Sequence, residues 1–241
     1  MVDVFTWAGT GLSAGNLTTT SAGTGDTAPT GINGTTPTIV TTGNRAPRIR
    51  FLGSPTSTQS VAYWDFTAQT QGGFRFAWTA PPAPPASGTF PIIFQINSGA
   101  TMQFYIDVTS TRRFNLRDGA GVLQQSATDA WVEGASYRLE ATVDHGTRAV
   151  NVRIFTGDAT THSVQLSGMS TVLGASHSRA YFGKVNAVAV GEMYVDDILG
   201  TNTAAYPGPA VTAPSTPDRV WNGSAWVPDV PELVWTGTVW K

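Results

Sequence analysis

Hydrophobic and polar residues alternate with a period of two along most of the chain, and no stretch keeps the period of an amphipathic helix. The alternating runs are rich in aromatic and β-branched residues, and turn residues separate them. Clear examples are residues 60–66, 73–78, 101–108, 136–143 and 149–155. Many short strands of this kind predict an all-β fold, either an antiparallel sandwich or a barrel.

Two similar tryptophan-rich repeats close the chain. Residues 221–226 and 235–240 each place a glycine between two tryptophans, which predicts two small hairpins. We expect four segments: a polar N-terminal segment at 1–44, part of which joins the sandwich, the sandwich at 45–206, a proline-rich linker at 207–217 and a tail at 218–241.

Composition and charge exclude several classes of function. Charged residues make up 12% of the chain and the net charge is -2, so no electrostatic basis exists for binding nucleic acid. The chain has no cysteine, which excludes disulfides and thiolate metal sites. No apolar run is long enough to span a bilayer, so membrane insertion is not expected. The first residues lack the basic and apolar regions of a signal peptide, and we expect synthesis in a cytoplasm without one.

Two longer motifs resemble a known fold family. The segment WVEGASYRLEATVDHGTRAVNVRIFTGD (131–158) resembles the central hairpin of concanavalin-A-like and laminin-G-like jelly rolls. The segment AYFGKVNAVAVGEMYVDDILG (180–200) resembles the closing region of the same fold. The resemblance covers roughly residues 45–206. It implies an antiparallel jelly-roll β-sandwich, but this fold carries many functions.

A second resemblance concerns the setting of the protein. A cysteine-free jelly roll with a polar lead and a terminal tryptophan repeat is similar to minor tail and other virion proteins of bacteriophages. This resemblance implies a structural protein made in the host cytoplasm and located in the virion. Its partners would be other virion proteins, further copies of itself and, in addition, a glycan on the host surface.

Catalytic motifs are weak. Residues 11–15 match the G-x-S-x-G nucleophile elbow, but the polar residues that follow cannot form the helix that the elbow requires. The three histidines, His145, His162 and His177, are scattered, and we interpret each as a loop or surface residue. The glutamates do not have the spacing of a glycanase pair. We therefore predict a protein that is not an enzyme and needs no cofactor.

Asp196 and Asp197 are the most prominent acidic pair. Adjacent residues of a strand face opposite sides, so they are not expected to act together on one substrate. One of them could bind calcium at the edge of the sandwich, alongside Asp65 or Asp107. The alternative is that one accepts backbone N–H bonds while the other is solvated.

Aromatic residues are the candidates for carbohydrate binding, because exposed rings stack on sugar faces. Trp64, Trp78 and Trp131 are the candidate glycan contacts, and their alternative is a place in the core. Three further aromatic residues share this ambiguity, namely Tyr63, Tyr105 and Tyr181.

The tail is predicted to dock. Isolated hairpins are marginal in water, and four exposed tryptophans would form a large apolar patch. The predicted docking residues are Trp221, Trp226, Trp235 and Trp240. The linker gives them reach to a neighbouring subunit, and the alternative is a flap on the protein's own sandwich. Together these features predict a non-enzymatic virion protein, with a lectin-like carbohydrate-binding module as the alternative.

Overall fold

The computed structural model describes residues 2–42, 45–52, 58–169 and 173–209, together with the backbone of residues 219–221 and 226–228. None of these residues is helical, and every pairing between the described strands is antiparallel. No segment of this part of the chain is a helix that could cross a bilayer.

Eighteen strands lie in the described residues. In chain order they are β1 (Asp3–Trp7), β2 (Gly15–Asn16), β3 (Gly31–Gly34), β4 (Thr38–Val40), β5 (Arg48–Phe51), β6 (Ser60–Gln69), β7 (Gln71–Thr79), β8 (Ile92–Ser98), β9 (Thr101–Val108), β10 (Phe114–Asp118), β11 (Leu123–Ser126), β12 (Ser136–Asp144), β13 (Ala149–Thr156), β14 (Val164–Met169), β15 (His177–Lys184), β16 (Met193–Thr201), β17 (Arg219–Trp221) and β18 (Trp226–Pro228).

Sixteen of these strands form the two sheets of the sandwich. The nine-stranded sheet, here called sheet A, has the order β14-β13-β12-β7-β16-β5-β4-β2, and β1 also pairs with β16. The seven-stranded sheet, sheet B, has the order β11-β10-β9-β8-β15-β6-β3. In sheet B, β15 lies between β8 and β6, which come much earlier in the chain.

The core between the sheets follows directly from the alternation in the sequence. In β7, Phe74, Phe76 and Trp78 point inward and are fully buried, whereas Arg75 lies at the opposite parity. The inward residues of both sheets form one aromatic cluster in which Phe94 and Phe182 have ring centroids 5.1 Å apart. This packing accounts for the predicted all-β, antiparallel sandwich.

The chain divides into two compact units, residues 1–209 and 210–241. The first contains the whole sandwich, and four strands from the N-terminal 44 residues, β1 to β4, take part in its sheets. In the second, β17 pairs with β18 and sets Trp221 opposite Trp226, the register expected for the first tryptophan repeat. Trp235 and Trp240 lie outside the described residues.

Candidate functional site

A row of side chains crosses the outward face of sheet B. Tyr105 of β9 is paired with Gln95 of β8, Gln95 with Tyr181 of β15, and Tyr181 with Tyr63 of β6. Arg117 of β10 is the partner of Tyr105 on the other side. The residues before and after the three tyrosines are buried, so each tyrosine points away from the core and is half-buried. We call these five residues the tyrosine row.

Arg117, at one end of the row, forms an ion pair with Asp107. Asp107 is fully buried, and its carboxylate accepts hydrogen bonds from Arg117 Nε at 2.6 Å and from Asn115 Nδ2 at 2.8 Å. Arg117 also donates to the carbonyl oxygen of Gly121 at 3.0 Å. The guanidinium group is therefore held in one orientation, and its charge is balanced by a carboxylate.

Burial shifts the pKa of two groups here. It raises the pKa of Asp107 above its usual value, although the hydrogen bonds from Arg117 and Asn115 oppose the shift. It also raises the pKa of Tyr105, so this phenol stays protonated and can donate a hydrogen bond at neutral pH. The site thus offers a neutral donor beside an arginine whose charge is balanced by a buried carboxylate.

Two loops, one before β8 and one after β15, form a wall along the row. The Asn186 side chain joins them, because its Oδ1 accepts from the Ile92 amide at 2.8 Å and its Nδ2 donates to the Phe90 carbonyl oxygen at 2.8 Å. Phe90 is 41% exposed, and the Arg117 guanidinium carbon lies 5.3 Å from the centroid of its ring. Phe90 therefore presents an aromatic surface at the mouth of the site.

The wall and the row border two cavities that are open to solvent. The first, of about 350 Å³, contains the Phe90 ring, Tyr105, Asp107 and Arg117. The second, of about 400 Å³, contains Tyr181 and the amide side chains of three residues, Gln95, Asn33 and Gln59. Ile92 and Asn186 line both cavities, so they adjoin as one groove. Each volume lies in the range of small-molecule sites.

A second aromatic group supports the far cavity. Tyr63 and Tyr181 have ring centroids 5.3 Å apart. Arg179 lies 4.5 Å above the Tyr63 ring and donates to Tyr181 Oη at 3.1 Å. Asp65 binds the same guanidinium group through two oxygens. These contacts fix the position of Tyr181 in the second cavity.

Comparison with known proteins identifies the fold. No protein-family model and no curated protein matches the sequence. Among solved structures, the chain is similar to lectin I from Ulex europaeus, solved with the methyl glycoside of α-L-fucose (TM-score 0.53, 8% identity, 72% of this chain and 91% of the lectin). It is also similar to basic winged bean lectin, solved with Tn-antigen (TM-score 0.51, 11% identity, 67% of this chain and 88% of the lectin). The fold is a concanavalin-A-like jelly roll.

The jelly roll is also similar to part of a sialidase, with a TM-score of 0.50 and 12% identity. That match covers 70% of this chain but only 16% of the sialidase chain. At these identities the likeness concerns the fold alone. The all-β, antiparallel jelly-roll prediction is confirmed, and the virion setting stays a prediction.

The three tryptophans proposed as glycan contacts lie in the core of the jelly roll. Trp64 and Trp78 are 0% exposed and Trp131 is 1% exposed, so none has a ring face that a sugar could reach. Trp78 packs edge-on against Trp131 with ring centroids 5.7 Å apart. The glycan contact predicted for these three residues is therefore wrong, and the core alternative is correct.

Asp196 and Asp197 face the same side, contrary to the expectation for neighbouring strand residues. Asp197 has a φ of 51°, and the pairing of β16 with β7 shifts register immediately after Asp196. This bulge brings Asp196 Oδ1 to 3.2 Å and Asp197 Oδ2 to 3.9 Å from nitrogens of Arg45. Burial raises the pKa of Asp196 to about 7, and Arg45 opposes the shift.

The two aspartates thus contact arginines rather than further carboxylates. Asp197 also pairs with Arg75 at 2.7 Å. Asp65 and Asp107, named as further calcium ligands, lie on sheet B and have arginine partners of their own. Within the described part of the chain, no group of three or more histidine, aspartate or glutamate residues is arranged to hold a metal ion. Calcium binding by Asp196 or Asp197 has no such group of ligands in the described residues and stays a prediction.

Each histidine was predicted to be a loop or surface residue. His145 does lie in the turn after β12, although it is buried, whereas His177 is buried and begins β15. His145 Nε2 lies 2.9 Å from His177 Nδ1, and His177 is 0% exposed. Burial, followed by the nearby His145, lowers the pKa of His177 to about 3. Only His162 is partly exposed, and its ring packs edge-on against Phe155. The two histidines of this pair are 32 positions apart in the chain.

The site in sheet B was only partly visible in the sequence. The three tyrosines of the row were candidates. Gln95 and Arg117 were not identified, nor was Asn186, which joins the two loops. A usable signal was the parity of each strand, because these tyrosines alternate with the most hydrophobic residues. The role of Asn186 had no such signal, since it lies in a loop and acts on residues more than 90 positions away.

Proposed function

We propose that this protein binds carbohydrate and that the glycan lies in the groove on the outward face of sheet B. The observation that supports this most strongly is the tyrosine row, in which aromatic and amide side chains from neighbouring strands remain accessible beside two joined cavities.

The chemistry of the groove suits a sugar. A sugar ring has an apolar face of C–H groups and a rim of hydroxyls, so it needs an aromatic surface and several fixed polar groups. Phe90 and Tyr105 supply the aromatic surface of the first cavity. Arg117, whose side chain is 20% exposed, supplies a donor group that is held in position by its hydrogen bond to the buried Asp107 at 2.6 Å.

Binding is better supported than hydrolysis. Glycosidases use two carboxyl groups on either side of the bond that they cleave. Among the described residues that line the two cavities, Asp107 is the sole carboxylate, and it is committed to Arg117 and Asn115. The likeness to lectins concerns the fold, and it agrees with a binding role without establishing one.

A glycan array tests this proposal. The full chain should bind a subset of immobilised neutral glycans, and Tyr105→Ala should weaken that binding at least tenfold, or about 1.4 kcal/mol. Tyr194→Ala is the matched control, because Tyr194 is a half-buried tyrosine of sheet A that stacks on Arg48 at 3.9 Å. Failure of the folded protein to bind any glycan, or equal binding by wild type and Tyr105→Ala, would contradict the proposal.

A further inference from the structure

We infer that the groove binds an internal stretch of a neutral, linear glycan, laid across the strands of sheet B, with Tyr105 and Tyr181 contacting different sugar units. This inference rests on the proposed carbohydrate binding and adds the shape and charge of the ligand.

The spacing of the two tyrosines requires a ligand of more than one sugar unit. Tyr105 on β9 and Tyr181 on β15 are separated by β8, so they lie roughly 10 Å apart at the usual distance between strands. A single sugar ring cannot stack on both. Each tyrosine lines its own cavity, and the two cavities share Ile92 and Asn186. A chain of linked sugars can occupy both cavities without a break.

The far end of the groove reaches the edge of sheet B, where Asn33 of β3 and Gln59 line the second cavity. Tyr63 is paired with Gly31 of β3, which is the last strand of sheet B. A Cβ atom on Gly31 would lie 2.2 Å from Tyr63 Oη, so the tyrosine occupies the space that a side chain from β3 would need. Among the described residues no strand of sheet B lies beyond β3, so a glycan chain can continue past this edge.

Tyr181 is prepared for contact by its neighbours rather than by the ligand. Arg179 holds its hydroxyl at 3.1 Å, and the guanidinium group is itself fixed by Asp65. Since this ring is already ordered, binding costs less side-chain entropy there. Arg179 and Asp65 are therefore positioning residues for the second cavity.

The charges in the groove cancel. Asp107 and Arg117 are the charged residues that line the first cavity, and they form an ion pair. The lining of the second cavity contains amide, aromatic and aliphatic side chains without a charged group. An acidic sugar would thus meet no uncompensated cation and would lose its own hydration, which favours a neutral ligand.

Calorimetric titration with oligosaccharide ladders tests the inference. The probes are neutral gluco-, manno- and galacto-oligosaccharides, each from one to six units, together with oligogalacturonates of the same lengths. Affinity should rise with length until both cavities are filled and should change little with salt. Tyr181→Ala should weaken the binding of long chains about tenfold and leave the binding of short ones unchanged, whereas Tyr105→Ala should weaken both.

Two controls keep the outcome interpretable. Tyr181→Phe keeps the ring and should retain the dependence on length, and Tyr194→Ala on sheet A should behave like wild type. If monosaccharides bind as tightly as hexasaccharides, the linear ligand is ruled out while carbohydrate binding stands. Tighter, salt-sensitive binding of oligogalacturonates would overturn the neutral ligand. If no sugar binds, the proposed function itself fails.

Discussion

The outward faces of the two sheets both carry arginine–carboxylate ion pairs, but these pairs differ in solvent exposure. Sheet A carries Arg138 and Glu140, an ion pair with an Nε–Oε1 distance of 2.8 Å whose side chains are each 2% exposed. Sheet B carries Arg179 and Asp65, whose side chains are 28% and 38% exposed. Around these pairs the face of sheet A is closed and that of sheet B is open, whereas Asp107 at the Arg117 end of sheet B is buried. We call them the closed face and the open face.

The segment after β16 closes sheet A. Gly208 donates its amide to Glu140 Oε2 at 3.2 Å, and its carbonyl oxygen accepts from Arg75 Nη1 at 3.0 Å. Tyr206 lies 3.9 Å from the Arg153 guanidinium carbon. Three polar residues of the closed face, Glu140, Arg75 and Arg153, therefore hold residues 206–208 against the sheet. Those of the open face are held by their neighbours in the same sheet, and the groove above them stays accessible.

Breaking the buried ion pair of the closed face should have the largest effect on the free energy of unfolding. Arg138→Ala leaves Glu140 buried without its partner and should lower the free energy of unfolding by about 3–5 kcal/mol, measured by urea denaturation. Arg153→Ala, on the same face, removes a stacking contact with Tyr206 and a long hydrogen bond from Nε to Gln165 Oε1 at 3.4 Å, and should cost about 0.5–1 kcal/mol. Equal losses in the two variants would mean that the face is not closed in solution.

Acid should act on both faces together, through the histidine pair in the interior. The folded-state pKa of His177 is about 3, below its ordinary value of 6.5, so only the unfolded chain takes up this proton between those values. The free energy of unfolding should therefore fall by up to about 1.4 kcal/mol for each pH unit below 6.5, down to about pH 3.

The variant His177→Gln should flatten this dependence, and His162→Gln should retain it. Tryptophan fluorescence and glycan binding should be lost at the same pH if the sandwich unfolds as one unit. Loss of binding well before the fluorescence change would show that the open face responds to acid independently.

A substitution at Gly73 tests how residues 202–208 contribute to the stability of the closed face. A Cβ atom at this position would lie 2.3 Å from the carbonyl oxygen of Ala205, so Gly73→Ala must push the segment away from β7. We expect a loss of about 1–3 kcal/mol in the free energy of unfolding. Hydrogen exchange should speed up in residues 202–208 and stay unchanged around Tyr105. Faster exchange at both places would indicate that the faces are coupled.

The smallest effect is expected on the open face. Asp65→Asn weakens a partly exposed ion pair with Arg179 and should change the free energy of unfolding by less than about 1 kcal/mol. The matched comparison is with Arg138→Ala, which breaks an ion pair on the other sheet. A loss of several kcal/mol at Asp65 would remove the distinction between an open and a closed face.

The alternation predicted the all-β fold and the long central strands, but it left open which face the tryptophans of these strands occupy. In β6 and β7 the parity that contains Trp64, Phe74 and Trp78 is the more hydrophobic one, which favours the core without excluding an exposed face. Trp131 lies outside the strands, and the alternation therefore gave no information about its burial.

Features that depend on the pairing of distant strands could not be predicted. The tyrosine row requires that β15 lies between β6 and β8, and strand order does not follow from hydrophobic period. The bulge at Asp197 was also hidden, because a positive φ at an aspartate has no pattern in the surrounding residues. The same holds for the histidine pair, which forms only when the turn after β12 meets the start of β15.

The position of β15 also has a kinetic consequence. Arg179 and Asp65 are 114 residues apart in the chain, yet they bind each other across neighbouring strands. Such non-local pairings form late and slowly, because the intervening chain must be ordered before they bring any gain. During synthesis, β15 is the last strand of the groove to be made. The second cavity therefore cannot form until well after the other strands have been synthesised. Ligand binding would then report completed folding, and the presence of ligand would protect only chains that have inserted this strand.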